Sequence, residues 1–235
     1  MCWIVATIGK NNPEPLLYQG LKNLEYRWYD SAGFVTVEAN HTTRLIREIG
    51  EVSHLLPHIK QDSLACIGIG HTRWATHGGV TEMNTHPHHS MNREIYLVHN
   101  GIIENYKELK KALNGHEYTS ETDSEVLAAL IDSFYDEGTQ LENAALQALQ
   151  LVEGTYGIAV VSTREADKIV VARSGSPLII GVNADETIIA SDASALIGHT
   201  TDAIYLNDGE VAVCKPGEVN LTDLAERFGG LDIEI

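Results

Sequence analysis

Residues 156–215 read YGIAVVSTREADKIVVARSGSPLIIGVNADETIIASDASALIGHTTDAIYLNDGEVAVCK. Short apolar runs follow one another here, at Tyr156 to Ser162, Lys168 to Arg173, Leu178 to Val182, Thr187 to Ala190, Ala203 to Leu206 and Glu210 to Lys215. Each predicts a strand. Upstream lies a block of helical spacing: Asn105 to Leu113, Asp123 to Tyr135 and Leu141 to Val152, with Thr122 a plausible N-cap and Glu125 three residues on. Strands in runs, interrupted by a block of helices, predict an α+β fold whose antiparallel sheets are covered by helices. A doubly wound parallel sheet would alternate more strictly, and no GxGxxG turn is present.

Further toward the N-terminus, CWIVATIG at 2–9 predicts a buried strand and Pro13 to Leu24 a helix with a proline start. Phe34 to Glu38 and Thr42 to Glu48 alternate as a hairpin would, and Leu64 to Trp74 and Glu94 to His99 predict two more strands. His77 to Asn92 (HGGVTEMNTHPHHSMN) is polar and histidine-rich, and reads as a long functional loop.

The composition, 43% hydrophobic and 21% charged, is that of a soluble globular chain, and it is long enough for a sizeable core. The formal net charge of -17 disfavours phosphate backbones and anionic membranes, so neither a nucleic-acid nor a membrane partner is expected. No apolar run reaches the length of a transmembrane helix, and the N-terminus lacks a secretory pattern. Three cysteines with no close pair argue against a disulfide framework, which makes the cytoplasm the default compartment. Cys66 and Cys214 read as buried strand thiols.

Cys2 differs by its place. Removal of Met1 would leave a thiol and a free α-amine on one residue, and an α-amine titrates low enough to accept the thiol proton at neutral pH. Acyl transfer through a thiol also needs oxyanion donors. Asn100-Gly101 offers an amide side chain and an approachable backbone N–H, although the same dipeptide is the strongest turn signal. An amino-acid substrate needs a cation and an anion. Arg73 suits a carboxylate, or else a surface ion pair; Asp123 suits an ammonium, or else the helix dipole. His71, His77, His86, His88 and His89 lie close in sequence, but their spacing fits no common zinc site, so they are expected to order the loop and cap the pocket rather than hold a metal.

Several motifs occur together: MCWIV at 1–5, LEYRWYDSAG at 24–33, HTRWATHG at 71–78, NTHPH at 84–88, HNGIIEN at 99–105, SETDSEV at 120–126, ARSGSPL at 172–178 and ASDASAL at 190–196. Over nearly its whole length the chain resembles the class II glutamine amidotransferases, and among them the glutaminase domains of the glutamine–fructose-6-phosphate aminotransferases. The resemblance implies an N-terminal-nucleophile fold, an αββα sandwich of two antiparallel sheets between helical layers. It implies one glutaminase domain over 1–235, with the sugar-isomerase part that accepts the ammonia absent from this chain.

It also implies roles. Cys2 would form a γ-glutamyl thioester from L-glutamine, with Asn100 and the Gly101 N–H as the oxyanion hole and Arg27 packed beside the nucleophile. Arg73 would bind the glutamine carboxylate, Thr76 and His77 would shape that end, His86 would cap the pocket, Asp123 would bind the ammonium, and Trp74 would lie near the ammonia exit. No cofactor is implied, and the isolated domain would be monomeric.

Two positions depart from the family pattern. Trp3 and Trp28 stand where the family carries glycines, in the two segments that meet at the nucleophile. Glycine commonly serves where φ is positive or backbones approach closely. An indole there must find room or displace the Cys2 loop, which raises a second reading: an impaired module that binds glutamine without cleaving it. The two indoles could instead point outward or stack together at a surface.

Overall fold

The computed structural model describes residues 2–26 and 28–224. In chain order the strands are β1 (Trp3–Gly9), β2 (Ser31–Glu38), β3 (Thr43–Ile49), β4 (Ala65–Arg73), β5 (His88–His89), β6 (Ile95–Ile103), β7 (Gly154–Ser162), β8 (Ile169–Ser174), β9 (Ile179–Val182), β10 (Glu186–Ala190), β11 (Ala203–Tyr205), β12 (Glu210–Lys215) and β13 (Glu218–Asp223). The helices are α1 (Pro13–Asn23), α2 (Tyr106–Ala112), α3 (Asp123–Ser133) and α4 (Leu141–Gln150). One sheet runs β11-β9-β10-β1-β4-β2-β3 and the other β13-β12-β8-β7-β6-β5. Paired neighbours are antiparallel throughout both sheets.

The sheets face each other across an apolar layer that includes Ile4, Ile8, Ile67 and Ile69 from one side and Tyr96, Val98, Ala159 and Val161 from the other. α1 covers the outer face of the first sheet, where Leu17 and Leu21 meet Trp3, Val5 and Phe34. α3 and α4 cover the second through Leu127, Leu130, Leu146 and Leu149. The layers are thus helix, sheet, sheet, helix. A strand covered on both faces has no solvent side, which is why β1 is buried throughout and apolar but for Thr7.

Elements foreseen from the sequence are present with ends shifted by a few residues. β6 is the exception. Its apolar run predicts an end at His99, with Asn100-Gly101 open to either a turn or an oxyanion hole. Instead it continues to Ile103, with Asn100 opposite Gly157 and Gly101 opposite Tyr156 in β7. Gly101 has φ +128°, and a Cβ there would lie 2.0 Å from the Thr155 carbonyl oxygen. The dipeptide's tolerance of positive φ is used inside a strand, not to reverse the chain. Cys214 is buried as expected, but Cys66 is only half-buried, near the start of β4 and level with the irregularity between Val37 and Glu38 of β2.

Candidate active site

The register of the first sheet sets Trp3 of β1 against Thr72 of β4, which brings Cys2 to the level of Arg73. There a cavity of about 390 Å³ opens at the end of the sandwich, and its lining includes Cys2, Arg73, Trp74, Thr76, His77, His86, Asn100, Gly101 and Asp123. Nine of the ten residues expected in the site are therefore gathered on one hollow, of a size that suits a small ligand. The tenth, Arg27, lies outside the described residues.

Cys2 Sγ accepts the Trp74 backbone N–H at 3.2 Å. Burial pushes its thiol pKa up, while that N–H draws it down by stabilising the thiolate. Two side chains hold this corner. Asp30 Oδ2 accepts the Ala75 N–H at 2.5 Å, which fixes the segment that follows Trp74. Ser191 Oγ accepts the Ile4 N–H at 2.9 Å, while Ser191 N–H donates to the Ile4 carbonyl at 3.1 Å, and so the first residues of β1 are tied down. Asp30 and Ser191 fall in the YDSAG and ASDASAL motifs, but a short polar residue beside a strand has no sequence signal that separates it from a turn former.

At the other end, Arg73 is 3% exposed and its guanidinium is committed to the chain. Nη2 donates to the His77 carbonyl at 2.6 Å and Nη1 to the Gly79 carbonyl at 3.1 Å, and Asp30 Oδ1 lies 3.9 Å from Nη1. The expected two-point grip on a substrate is thus shared with the 77–79 loop. Nη2 also approaches the Gly78 carbonyl at 3.5 Å, while Nη1 carries a second N–H beyond its bond to Gly79. Asp123 is the first residue of α3, and its Oδ2 accepts the Ile103 N–H at 2.8 Å, which brings the carboxylate to the end of β6. Trp74 is half-exposed at the cavity mouth and Thr76 is exposed.

The histidines divide. His71, His86 and His88 form a chain of rings, with centroids 4.1 Å apart for the first pair and 4.5 Å for the second. His99, which sequence reasoning did not single out, joins them: its N–H donates to His86 Nδ1 at 3.3 Å and its Nδ1 lies 2.9 Å from Ser124 Oγ. Burial lowers the pKa of all four, that of His71 to about 3, so the rings are neutral at pH 7. His88 Nε2 reaches Thr122 Oγ1 at 3.0 Å, whereas His77 packs edge-on against Tyr106 and His89 turns to the Ser90 carbonyl. His86 thus meets the cavity as part of a buried stack. Among the described residues, no three His, Cys, Asp or Glu side chains are gathered as a metal would need.

The two tryptophans take neither outcome foreseen for them as a pair. Trp28 is 84% exposed. Trp3 borders the cavity, but its indole lies in the outer core beneath α1, its ring centroid 5.7 Å from that of Tyr26.

The arrangement combines a thiol, an amide and a glycine N–H, and a cation and an anion on one small hollow. Such a set suits acyl chemistry on an amino acid. The family model for the glutamine amidotransferase domain matches residues 33–213. The glutamine–fructose-6-phosphate aminotransferase (isomerizing) of Chlorobaculum tepidum is 50% identical over 221 residues, 91% of this chain and 36% of that protein. The Clostridium tetani protein of the same name is 46% identical over 95% of this chain and 37% of its own length. The chain therefore spans little more than a third of these relatives. Among solved structures, the glutamine phosphoribosylpyrophosphate amidotransferase from B. subtilis superposes over 95% of this chain and 49% of its own, with a TM-score of 0.78 at 24% identity, a likeness of fold. Among the described residues no helix is long and apolar enough to cross a membrane.

Proposed function

The chain belongs to the glutamine amidotransferase domain family, and from that premise we propose that it hydrolyses the side-chain amide of L-glutamine through Cys2. The observation that carries the reading is the placement of Cys2 Sγ, held by the Trp74 N–H, in the cavity that Arg73, Asn100 and Asp123 also line. With Met1 removed, the Cys2 α-amine takes the thiol proton and Sγ attacks the amide carbon. Asn100 Nδ2–H and the Gly101 N–H receive the charge that develops on the carbonyl oxygen. Collapse of this intermediate breaks the C–N bond, the proton leaves with ammonia, and a γ-glutamyl thioester remains. Water then cleaves the thioester to glutamate and regenerates the thiol. Arg73 holds the substrate carboxylate and Asp123 its ammonium.

The ammonia acceptor follows from the relatives' names. We assign it to fructose 6-phosphate, bound by a sugar-isomerase part that residues 1–235 do not supply. That Trp28 is exposed and the Trp3 indole packs beneath α1 favours cleavage over the alternative, a glutamine-binding module crowded by indoles.

Glutamate release by the purified chain, its intact mass, and labelling of Cys2 by an electrophilic glutamine analogue test this together. We expect loss of Met1, labelled Cys2, and turnover in wild type within a few-fold of that of Trp3→Gly/Trp28→Gly. Cys2→Ala should abolish both labelling and turnover. Glutamine binding with neither labelling nor turnover would return the binding-module reading.

A further inference from the structure

An amide side chain has two ends of opposite use. Asn100 helps an oxyanion only if Nδ2 faces the cavity; turned over, it would present a carbonyl oxygen and repel the charge it should receive. Its orientation is set from behind. His71 Nε2 lies 2.9 Å from Asn100 Oδ1, and both residues are buried. His71 is itself fixed. It sits in β4, flanked by Ile4 of β1 and Gly33 of β2, with its ring stacked on His86 at 4.1 Å and His86 braced edge-on by His88 at 4.5 Å. Burial keeps the His71 ring neutral, with a pKa lowered to about 3, so it carries a single N–H and makes a poor proton shuttle at neutral pH.

We propose that His71 is a positioning residue for Asn100: it donates Nε2–H to Oδ1 and so locks Nδ2–H toward the cavity. The proposal rests on the reading of Asn100 as an oxyanion donor. The histidine stack behind it forms a rigid column from the centre of the first sheet to the start of α3. His88 Nε2 at the far end meets Thr122, whose hydroxyl also caps the helix that presents Asp123. One buried column thus braces the group that meets the reacting carbonyl and the helix that carries the ammonium partner, a role for the histidine cluster that requires no metal.

Two measurements test it. In ¹⁵N-histidine NMR of the full chain at pH 7, with His71 assigned through its backbone, His71 should be the neutral Nε2–H tautomer. An Nδ1–H tautomer or an imidazolium overturns the proposal, and this readout requires no turnover and no variant. In kinetics, His71→Phe should lower kcat about 100-fold while KM for glutamine stays within about threefold, since the substrate carboxylate and ammonium are held elsewhere. His71→Gln, which can still donate an N–H, should recover at least about tenfold. In an Asn100→Ala background, His71→Phe should cost less than about threefold further. An equal fall in both backgrounds, or a rise in KM with kcat intact, overturns the proposal. If wild type releases no glutamate, the hydrolytic reading fails while the tautomer still decides whether His71 holds the amide.

Discussion

Gly101 shows how one residue ties backbone geometry to chemistry. Its φ of +128° and the 2.0 Å approach of the Thr155 oxygen to any Cβ exclude every side chain. Gly101→Ala should therefore destabilise the fold by about 2–4 kcal/mol, from strain and a steric clash together, and lower glutaminase turnover to background; urea unfolding and glutamate release check the two effects. Asn100-Gly101 was legible as a candidate pair of oxyanion donors, but its place inside a strand was not. A sequence shows that positive φ is allowed, not whether the chain turns there. Cys2, Arg73 and Asp123 were legible because their chemistry has few other purposes in this combination. His71, His99 and Ser191 lay within quoted motifs but were given no individual role, because a partner distant in sequence decides what a buried polar side chain holds.

The start of α3 is the most heavily tied of the elements around the site. Thr122 Oγ1 accepts the Glu125 N–H at 3.3 Å and also meets His88. The sequence suggested a capping box, and half of it forms. The Glu125 carboxylate does not return to Thr122 but accepts from the Thr119 N–H and hydroxyl and from the Ser120 N–H. Burial pushes its pKa up, yet these donors hold it below the ordinary range. Thr122→Ala should cost about 1 kcal/mol, a fall in Tm of roughly 2–4 °C. KM for glutamine should rise as Asp123 loosens, and calorimetry with steady-state kinetics reads both effects. Elements missed in the sequence share a physical cause. β13 lies at a sheet edge with much of both faces exposed, so it needs no apolar alternation. β5 is two residues long and is held by pairing with Leu97 and Tyr96 of β6. The glycine-to-tryptophan departures were legible as anomalies, but their consequence depended on which face of β1 carries Trp3.

At the scale of the whole molecule, the buried histidines make stability a function of pH. In the unfolded chain each takes up a proton near its ordinary pKa of 6.5, while folded His71 resists to about 3 and His86, His88 and His99 are lowered too. Between these values the unfolded state binds more protons, so the folded state keeps its full stability above about pH 6.5 and loses it as pH falls toward 3. From His71 alone the loss at pH 5 is about 2 kcal/mol. Urea unfolding at pH 7 and pH 5 should show the midpoint falling; an unchanged midpoint would contradict neutral burial of these rings. Antiparallel sheets covered by helices were legible from the order of strand and helix runs, while the face-to-face sandwich came from the family resemblance. Beyond the β2–β3 hairpin, which strands neighbour one another was not legible, since β1 lies between β4 and β10 at the centre of its sheet.

That central place of β1 governs the order of assembly during synthesis. One edge of β1 receives β10, with Val5 opposite Ala190, and the Ile4 backbone is tied to Ser191. β1 therefore acquires this neighbour only when about 180 further residues have been synthesised, on the order of ten to forty seconds later at ordinary rates of translation. Throughout that interval the β1 edge that faces β10 has no partner, while its other edge can already pair with β4. The seven-stranded sheet thus closes around its own first strand only near the end of synthesis of residues 1–190.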